Sequence, residues 1–199
     1  MARKGVFICI EGLDGSGKTT QTKLLVRRLC KLGYNAVYTA EPTKGKIGRY
    51  IRKHCLDSEK RCSSVVETLL FAADRIEHVN TEIAPMLQTG KIVVSDRYVY
   101  SSCAYQGATG LGLEWIESVN KFAVRPDLAL FIDVQPELAL KRLKAKKSVM
   151  ERSETQRKVR QVYQTYVERG DLRRIDGGGS LTDVHRRLVK TVEDFLAKK

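Results

Sequence analysis

Short apolar runs alternate with longer stretches whose apolar residues recur every three or four positions, and the alternation extends along most of the chain. Such runs are typical of strands in a buried sheet, and the amphipathic stretches are typical of helices that cover it. The strands are predicted at Val6–Ile10, Ala36–Thr39, Lys91–Ser95, Leu128–Val134 and Leu172–Asp176. The helices are predicted at Lys18–Leu32, Ile47–His54, Ser63–Leu87, Pro136–Lys146, Thr155–Arg169 and Leu181–Leu196. The pattern therefore predicts an α/β protein with a five-stranded parallel sheet flanked by helices.

The longest predicted helix, Ser63–Leu87, carries an apolar stripe that we expect to be its buried side. The stripe consists of Val65, Val66, Leu69, Leu70, Ala73, Ile76 and Ile83. Pro85 is expected to kink or end this helix because proline lacks a backbone N–H. No repeat, low-complexity segment or linker interrupts the pattern, so residues 1–199 are expected to form a single domain.

The composition is that of a globular domain, with 42% hydrophobic and 30% charged residues. No apolar run approaches the roughly 18 residues that a membrane span needs, and the first strand begins too early to leave room for a signal peptide. The five cysteines are odd in number and lack C-x-x-C spacing, which favours reduced thiols over disulfides or zinc. We therefore expect a cytoplasmic protein that does not associate with membranes.

The net charge of +13 leaves two kinds of partner open. A basic surface is the usual footprint of nucleic-acid binding, but the same residues can serve a small anionic ligand and solubility. The basic residues are spread along the chain, with clusters at Lys44–Arg52, Lys141–Lys147 and Arg157–Arg160. No RNA-recognition, KH or zinc-finger pattern accompanies them, so a nucleic-acid partner is not expected.

The segment Gly12–Thr19 fits the phosphate-loop pattern G-x-x-x-x-G-K-[ST] and lies between a predicted strand and a predicted helix. Glycines leave the backbone N–H groups bare, so that they can surround phosphate oxygens at the N-terminus of the helix. Lys18 is predicted to reach the β- and γ-phosphates of a nucleoside triphosphate. The alternative is a glycine-rich turn that binds no ligand. The ATP-binding residues are predicted to be Gly12, Leu13, Asp14, Gly15, Ser16, Gly17, Lys18, Thr19 and Thr20.

A metal site is predicted at Thr19 and Asp96. Asp96 ends an apolar strand, and ligands of parallel sheets collect at the carboxyl ends of the strands. Its carboxylate and the hydroxyl of Thr19 are hard oxygen ligands suited to Mg²⁺. The alternative is that Asp96 only caps a following helix. The neighbouring Arg97 favours the first interpretation, because a guanidinium beside this acid suits a phosphate.

The stretch Asp96–Gly107 resembles the Asp-Arg-Tyr…Ser…Ala-Tyr-Gln-Gly signature of thymidylate kinases. Glu11–Asp14, Leu70–Arg75 and Pro126–Leu128 resemble further motifs of that family, in the family's order. The resemblance implies a three-layer P-loop kinase fold, a homodimer, and transfer of the γ-phosphoryl group of ATP to dTMP with Mg²⁺. It therefore gives the chain a nucleoside monophosphate kinase activity that supplies dTDP.

The resemblance also implies roles for side chains around the acceptor nucleotide. The implied substrate-binding residues are Asp14 at the sugar 3′-hydroxyl, Phe71 stacked on thymine, Arg75 at a base carbonyl, Arg97 on the acceptor phosphate, Ser102 near the base edge, Tyr105 against the 2′ position and, as a weaker candidate, Gln106. Periodicity alone would instead place Phe71 in the core and Arg75 on a solvated face. For Asp14 the alternative is a role in stabilising its own turn.

Two departures from the family pattern change the expected set of cations. Many bacterial relatives have arginine where this chain has Ala40, so one phosphate contact is missing, and Arg49 or Arg52 are candidates to replace it. The alternative for both is that they belong to a basic helix face near the surface. One branch of the family carries an arginine within the phosphate loop, at the position of Gly15. This chain resembles the other branch, which supplies that cation from a lid.

The lid is predicted at about residues 144–153, between two predicted helices. Arg152 is the first candidate for its catalytic cation, with Lys144 and Lys147 in reserve. The alternative is a solvated basic linker. The catalytic residues are thus predicted to be Lys18, Asp96, Arg97 and Arg152.

Rival functions remain open from the residues alone. One is a P-loop kinase for another acceptor, such as a different nucleoside monophosphate, a deoxynucleoside or a polynucleotide end. Another is a nucleotide-dependent switch that binds nucleic acid, which the positive charge favours. A guanine-reading Asn-Lys-x-Asp segment is absent, since the Asn120-Lys121 pair is followed by Phe122 and Ala123.

Overall fold

The computed structural model describes residues 5–56, 61–143 and 153–199. Its strands are β1 (Val6–Gly12), β2 (Ala36–Ala40), β3 (Ile92–Asp96), β4 (Leu128–Asp133) and β5 (Arg173–Asp176). They form one parallel sheet in the order β2-β3-β1-β4-β5. The predicted α/β class and five-stranded parallel sheet are confirmed. β1, β3 and β4 are buried along almost their whole length, as expected of parallel strands covered on both faces.

The sheet is flanked by helices, which connect its parallel strands. The helices are α1 (Lys18–Lys31), α2 (Lys46–Ile51), α3 (Ser64–His78), α4 (Ala84–Gln88), α5 (Val99–Gly107), α6 (Leu113–Val119), α7 (Pro136–Arg142), α8 (Ser153–Glu168) and α9 (Leu181–Leu196). The sequence pattern did not predict α5 or α6. α5 contains serines and a terminal glycine, which have low helix propensity, and it has a weak apolar stripe.

The register of the sheet places the candidate site at the carboxyl ends of β1 and β3. Ile10 of β1 pairs with Asp96 of β3, and Gly12 pairs with Ile132 of β4. β3 and β4 lie on opposite sides of β1, so the connection from β3 to β4 passes across β1 and the strand order reverses there. Ligands of open α/β sheets bind at such a switch point.

The predicted buried side of the long helix is wrong. Val65, Val66 and Leu69 are 43%, 44% and 48% exposed, respectively, and only Ile83 of the predicted stripe is fully buried. The buried face of α3 is instead polar, and it carries Glu67, Thr68, Asp74, Arg75 and His78. A polar face can be buried here because its groups find hydrogen-bond partners, such as Arg61 for Glu67 and Thr43 for Asp74, which periodicity cannot show.

The effect predicted for Pro85 is seen as a change of helix type. α3 passes into a π-helical segment at Val79–Ile83, and α4 continues from Ala84 with Pro85 in its first turn. Proline cannot donate a backbone hydrogen bond, so the regular α-helical ladder cannot pass through this position. The long helix is therefore divided in the turns before Pro85.

Candidate active site

The phosphate loop joins β1 to α1 and is closed by a hydrogen bond from the backbone N of Ser16 to the carbonyl of Leu13 at 3.1 Å. Gly15 and Gly17 have φ values of 80° and 86°, a left-handed conformation that glycine adopts without strain. Gly17 is the N-cap of α1, and Thr19 and Thr20 lie exposed in the first turn. The loop therefore presents bare backbone and a helix N-terminus to the same space, which suits an anion.

Lys18 lies buried at the base of the loop. Its Nζ donates to the carbonyl of Leu13 at 3.1 Å and lies 3.6 Å from Oδ1 of Asp14. Burial lowers the pKa of Lys18 to about 8, and the positive charge of Arg97 adds to this effect. A dianionic phosphate would favour the protonated form, so the site is electrostatically prepared to bind one.

Gly15 packs so closely on α7 that a side chain has no room. A Cβ atom at Gly15 would lie 2.1 Å from the carbonyl oxygen of Ala139 and 2.9 Å from its carbonyl carbon. Both atoms belong to backbone, so the contact cannot be relieved by rotating a side chain. The loop of this chain therefore cannot carry a basic side chain at Gly15 without moving α7.

The pair Thr19 and Asp96 fits a divalent cation. The hydroxyl of Thr19 donates to Oδ2 of Asp96 at 2.5 Å. The other oxygen of Asp96, Oδ1, is buried and has no hydrogen-bond partner among the described residues. Within the described ranges no group of three or more His, Cys, Asp or Glu side chains is arranged to hold a metal ion by itself. One carboxylate and one hydroxyl match Mg²⁺, which is held by few protein ligands together with substrate phosphates and water.

Arg97 reaches from the end of β3 to the phosphate loop. Its Nη2 donates to Oδ1 of Asp14 and, at 3.3 Å, to the hydroxyl of Tyr105. The hydroxyl of Tyr105 donates to Oδ2 of Asp14 at 2.9 Å. Burial opposes ionisation of Asp14, but Arg97 and Lys18 outweigh it and lower the pKa of Asp14 to about 2. One ionised carboxylate thus holds two cations from different elements at the mouth of the loop.

Arg75 lies at the centre of a buried hydrogen-bond network. Its Nε donates to Oε2 of Glu41 at 2.9 Å, and its Nη2 donates to the carbonyl of Tyr98 and to Oγ of Ser102, both at 3.1 Å. Its Nη1 donates to Oδ1 of Asn120. Since Nη1 carries two N–H groups, one of them has no acceptor within the described part of the chain. The solvated alternative for Arg75 is wrong, because its side chain is 1% exposed.

The chain matches the family described as thymidylate kinase over residues 10–188. The chain belongs to the thymidylate kinase family. A "Probable thymidylate kinase" of Thermococcus onnurineus is 45% identical over 205 residues, covering 98% of this chain and 100% of the relative. The "Thymidylate kinase" of Caldanaerobacter subterraneus subsp. tengcongensis is 41% identical over 204 residues, covering 97% of each chain. A "Probable thymidylate kinase" of Methanococcus vannielii is 50% identical over 163 residues, or 81% of this chain and 78% of the relative.

Two residues implied by the thymidylate kinase resemblance lie at the edge of these contacts. Phe71 is half-buried one helical turn before Arg75 on α3, so part of its ring stays accessible. Gln106, the weaker candidate, is buried within α5. The ligand contacts of both residues remain predictions, as do those of the whole substrate-binding set.

The lid cations of the thymidylate kinase pattern lie outside the described residues. This applies to Arg152, Lys144 and Lys147. Of the two cations considered for the contact missing at Ala40, Arg52 instead donates to the backbone carbonyls of Pro42 and Thr43. Arg52 therefore braces the loop after β2, and Arg49 is the exposed one of the pair, with a bond of 3.3 Å to the carbonyl of Lys44.

Four residues of this site were not predicted from the sequence: Glu11, Glu41, Asn120 and Tyr163. Glu11 and Tyr163 meet at the side chain of Ser101, whereas Glu41 and Asn120 hold Arg75. Glu11 gave a signal, since it is a charged residue within an otherwise apolar strand. The others follow no local pattern, because each acts on a partner far away in sequence.

Of the helices in the described ranges, none has the length and apolar character that crossing a bilayer requires.

Proposed function

We propose that this chain is a thymidylate kinase that transfers the γ-phosphoryl group of ATP to dTMP and releases dTDP and ADP. The observation that carries the proposal is the convergence of Lys18 and Arg97 on the single carboxylate of Asp14. Lys18 comes from the phosphate loop and Arg97 from the end of β3, so each can hold the phosphate of a different nucleotide. Two polyanions are then brought together between fixed cations, which is the main requirement of phosphoryl transfer.

The donor is bound by the phosphate loop. Backbone N–H groups at the start of α1 surround the phosphates of ATP, and Lys18 exchanges its bond to the carbonyl of Leu13 for phosphate oxygens. Lys18 then stabilises the negative charge that develops during transfer. Thr19 and Asp96 would hold Mg²⁺, which neutralises charge on the transferring group when bound.

The acceptor phosphate is its own nucleophile. The second pKa of a phosphate monoester is about 6, so an anionic oxygen is present at neutral pH without a general base. Arg97 holds this phosphate in line with the donor. When Nη2 of Arg97 exchanges Asp14 for the phosphate, while Nη1 keeps its bond to Ser101, the carboxylate of Asp14 becomes available to the sugar 3′-hydroxyl, next to the hydroxyl of Tyr105.

The base is recognised on α3. The N–H group on Nη1 of Arg75 that has no acceptor among the described residues is assigned to a carbonyl oxygen of thymine. Because the network of Glu41 and Asn120 keeps the guanidinium in place, little side-chain entropy is lost on binding. Phe71, one turn earlier on α3, stacks on the ring.

We place the enzyme in the cytoplasm, in line with its free cysteines.

An acceptor panel tests the function directly. With ATP and Mg²⁺, we expect ADP release to depend on an added nucleoside monophosphate. The value of kcat/KM should be higher for dTMP than for dCMP, dGMP or ribothymidine monophosphate. Release is measured by a coupled assay, with the same protein lacking acceptor as the control. Equal kcat/KM values for dTMP, dCMP and dGMP would contradict thymine selection, and no acceptor-dependent release would favour the nucleotide switch.

We further infer that the enzyme is a homodimer whose subunits meet through α3. The exposed apolar face formed by Val65, Val66 and Leu69 is continuous on one side of this helix and has no cover in the described part of the monomer. Apolar faces of this kind mark association surfaces. A second copy is the occupant we favour, because the helix can pair with itself about a two-fold axis.

A charge placed on this face is expected to break the dimer. Leu69→Glu should convert a dimer into a monomer, because the glutamate would be buried unpaired at the interface. The molar mass is measured by light scattering after size exclusion. Leu181→Glu is the matched control, since Leu181 is a similarly exposed leucine, on α9. A Leu69→Glu protein that keeps the mass of the unaltered protein would contradict this interface.

A further inference from the structure

Glu11 is a buried carboxylate on β1, directly before the phosphate loop. Its Oε1 accepts a hydrogen bond from the backbone N of Tyr98 at 2.9 Å. Its Oε2 accepts from the hydroxyls of Ser101 at 2.5 Å and Tyr163 at 3.2 Å. Burial raises the pKa of Glu11 to about 7, although these hydrogen bonds and Arg97 act to lower it. Ionisation of Glu11 therefore does not stabilise the fold, because burial disfavours its charged form by more than its hydrogen bonds favour it.

The backbone of Arg97 is strained, and Glu11 holds one side of it. Arg97 has a φ of 72°, and it is the only non-glycine residue with positive φ in the described ranges. Its own backbone N donates to the carbonyl of Ile10 at 3.0 Å. The next backbone N, that of Tyr98, donates to Glu11. Ile10 and Glu11, two consecutive residues of β1, thus hold the peptide groups before and after Arg97, whose positive φ is rare for residues other than glycine.

The side chain of Arg97 is held by a relay through Ser101. The hydroxyl of Ser101 gives its single proton to Oε2 of Glu11, so its oxygen lone pairs face other donors. One of these is Nη1 of Arg97, which donates to Oγ of Ser101 at 3.0 Å. In its ionised form Glu11 can only accept hydrogen bonds, and it then determines which way the hydroxyl of Ser101 points.

We propose that Glu11 is a positioning residue for phosphoryl transfer, which fixes both the backbone and the guanidinium of Arg97 in the orientation that meets the acceptor phosphate. This inference rests on the proposed function, which gives Arg97 the acceptor phosphate. Strain at functional residues is kept only where the surroundings enforce it. Glu11 does so from below the loop, without touching either nucleotide.

The surroundings of Glu11 carry charges of both kinds. Three cations interact electrostatically with Glu11: Lys18 on α1, Arg75 on α3, and Arg97. The titratable groups that interact with Glu11 are Cys9 on β1, Tyr100 and Cys103 on α5 and Tyr163 on α8, and burial raises the pKa of each. The neighbours therefore stay in one protonation state across neutral pH, apart from Lys18 at its upper end.

The test replaces Glu11 by an isosteric neutral side chain. In Glu11→Gln the carbonyl oxygen can still accept from the backbone N of Tyr98, but the amide nitrogen then stands in place of Oε2 and cannot accept the proton of Ser101. We expect kcat/KM for dTMP to fall about tenfold to a hundredfold, the usual cost of a misplaced catalytic group, while KM for ATP is unchanged. Glu168→Gln, at an exposed position on α8, is the control and should leave both values unaltered.

A second variant removes the relay without altering the carboxylate. Ser101→Ala should lower kcat/KM for dTMP in the same way, and the double variant should cost less than the product of the two single effects, since both act through one hydrogen-bond chain. Ser101→Ala also decides the question if Glu11→Gln does not fold. Multiplicative effects would show that the two residues act separately and would overturn the relay.

The pH dependence of stability separates positioning from a merely structural role. The pKa of Glu11 is raised in the folded protein, so its ionisation opposes folding, and this opposition grows as the pH rises from the ordinary value of 4.5 towards about 7. Glu11→Gln removes it. Relative to the unaltered protein, the variant should therefore be more stable at about pH 8 than at about pH 5. A variant that loses stability equally at both pH values, in step with its activity, would indicate a structural role only.

How firmly the guanidinium group of Arg97 is held in place can also be measured without turnover. In the nucleotide-free protein, the guanidinium ¹⁵Nε–H signal of Arg97, assigned with Arg97→Lys, should exchange faster with water in Glu11→Gln and Ser101→Ala. If the unaltered protein does not phosphorylate dTMP, the proposed function fails and this signal alone tests the inference. Unchanged exchange, or kcat/KM for dTMP within about threefold of the unaltered enzyme in both variants, overturns it.

Discussion

Replacement of Lys18 by alanine is expected to lower kcat by at least about 10²–10³-fold. The ammonium group lies at the base of the loop, 3.1 Å from the carbonyl of Leu13, where it meets the donor phosphates as charge develops on the transferring group. Water cannot replace a fixed cation in a site from which water is excluded. The measurement is kcat at saturating ATP and dTMP.

The fold should survive this change. Burial lowers the pKa of Lys18, so the protein gains nothing from the charge of this residue in the absence of nucleotide. Lys31→Ala is the matched control, since Lys31 is an exposed lysine on the same helix. A folded Lys18→Ala protein with kcat within about tenfold of the control would refute the phosphate-loop assignment.

The second large effect is expected for Arg152→Ala, with a loss of about 10³–10⁵ in kcat, or roughly 4–7 kcal/mol. The reason lies in Gly15, where backbone atoms of Ala139 leave no space for the basic side chain that one branch of the family carries in the loop. The cation must then come from another segment, and we propose the lid at residues 144–153.

Alanine is placed singly at Arg152, Lys144, Lys146 and Lys147, and kcat is measured at saturating ATP and dTMP. Lys190→Ala, at an exposed position on α9, serves as the control for the loss of one positive charge. A solvated charge should change kcat by less than about tenfold. If none of the lid variants exceeds that loss, the cation lies elsewhere, and Arg49 is then favoured over Arg52, which is engaged with carbonyl groups of its own loop.

The sheet could be predicted because the strands of a parallel sheet are buried on both faces. Each strand is then an apolar run such as Ile92–Val94, which the sequence displays without knowledge of its neighbours. The phosphate loop could be predicted for a similar reason. Glycine spacing and the Lys18-Thr19 pair act within a few residues of one another, so their geometry is local.

The buried face of α3 could not be predicted from the sequence. Periodicity revealed an amphipathic helix, but it placed Leu69 inside and Arg75 on a solvated face, whereas the structure has the reverse. An apolar stripe indicates which residues avoid water, and a subunit interface satisfies that need as well as a core does. The polar face is buried because its groups find partners elsewhere in the chain, such as Glu41 and Asn120, which bond Arg75 and lie 34 and 45 positions away.

The fold class, the anion-binding loop and the edge of the sheet at which Asp96 and Arg97 lie can all be derived from the sequence, because they depend on contacts between near neighbours or on burial alone. The side chains that hold Arg97 and Arg75 in place are known only from tertiary contacts. Glu11 reaches Tyr98 and Ser101 across 87 and 90 positions of chain. A hydrogen bond needs donor and acceptor within about 3 Å, and no spacing in the sequence encodes that distance between residues that only folding brings together.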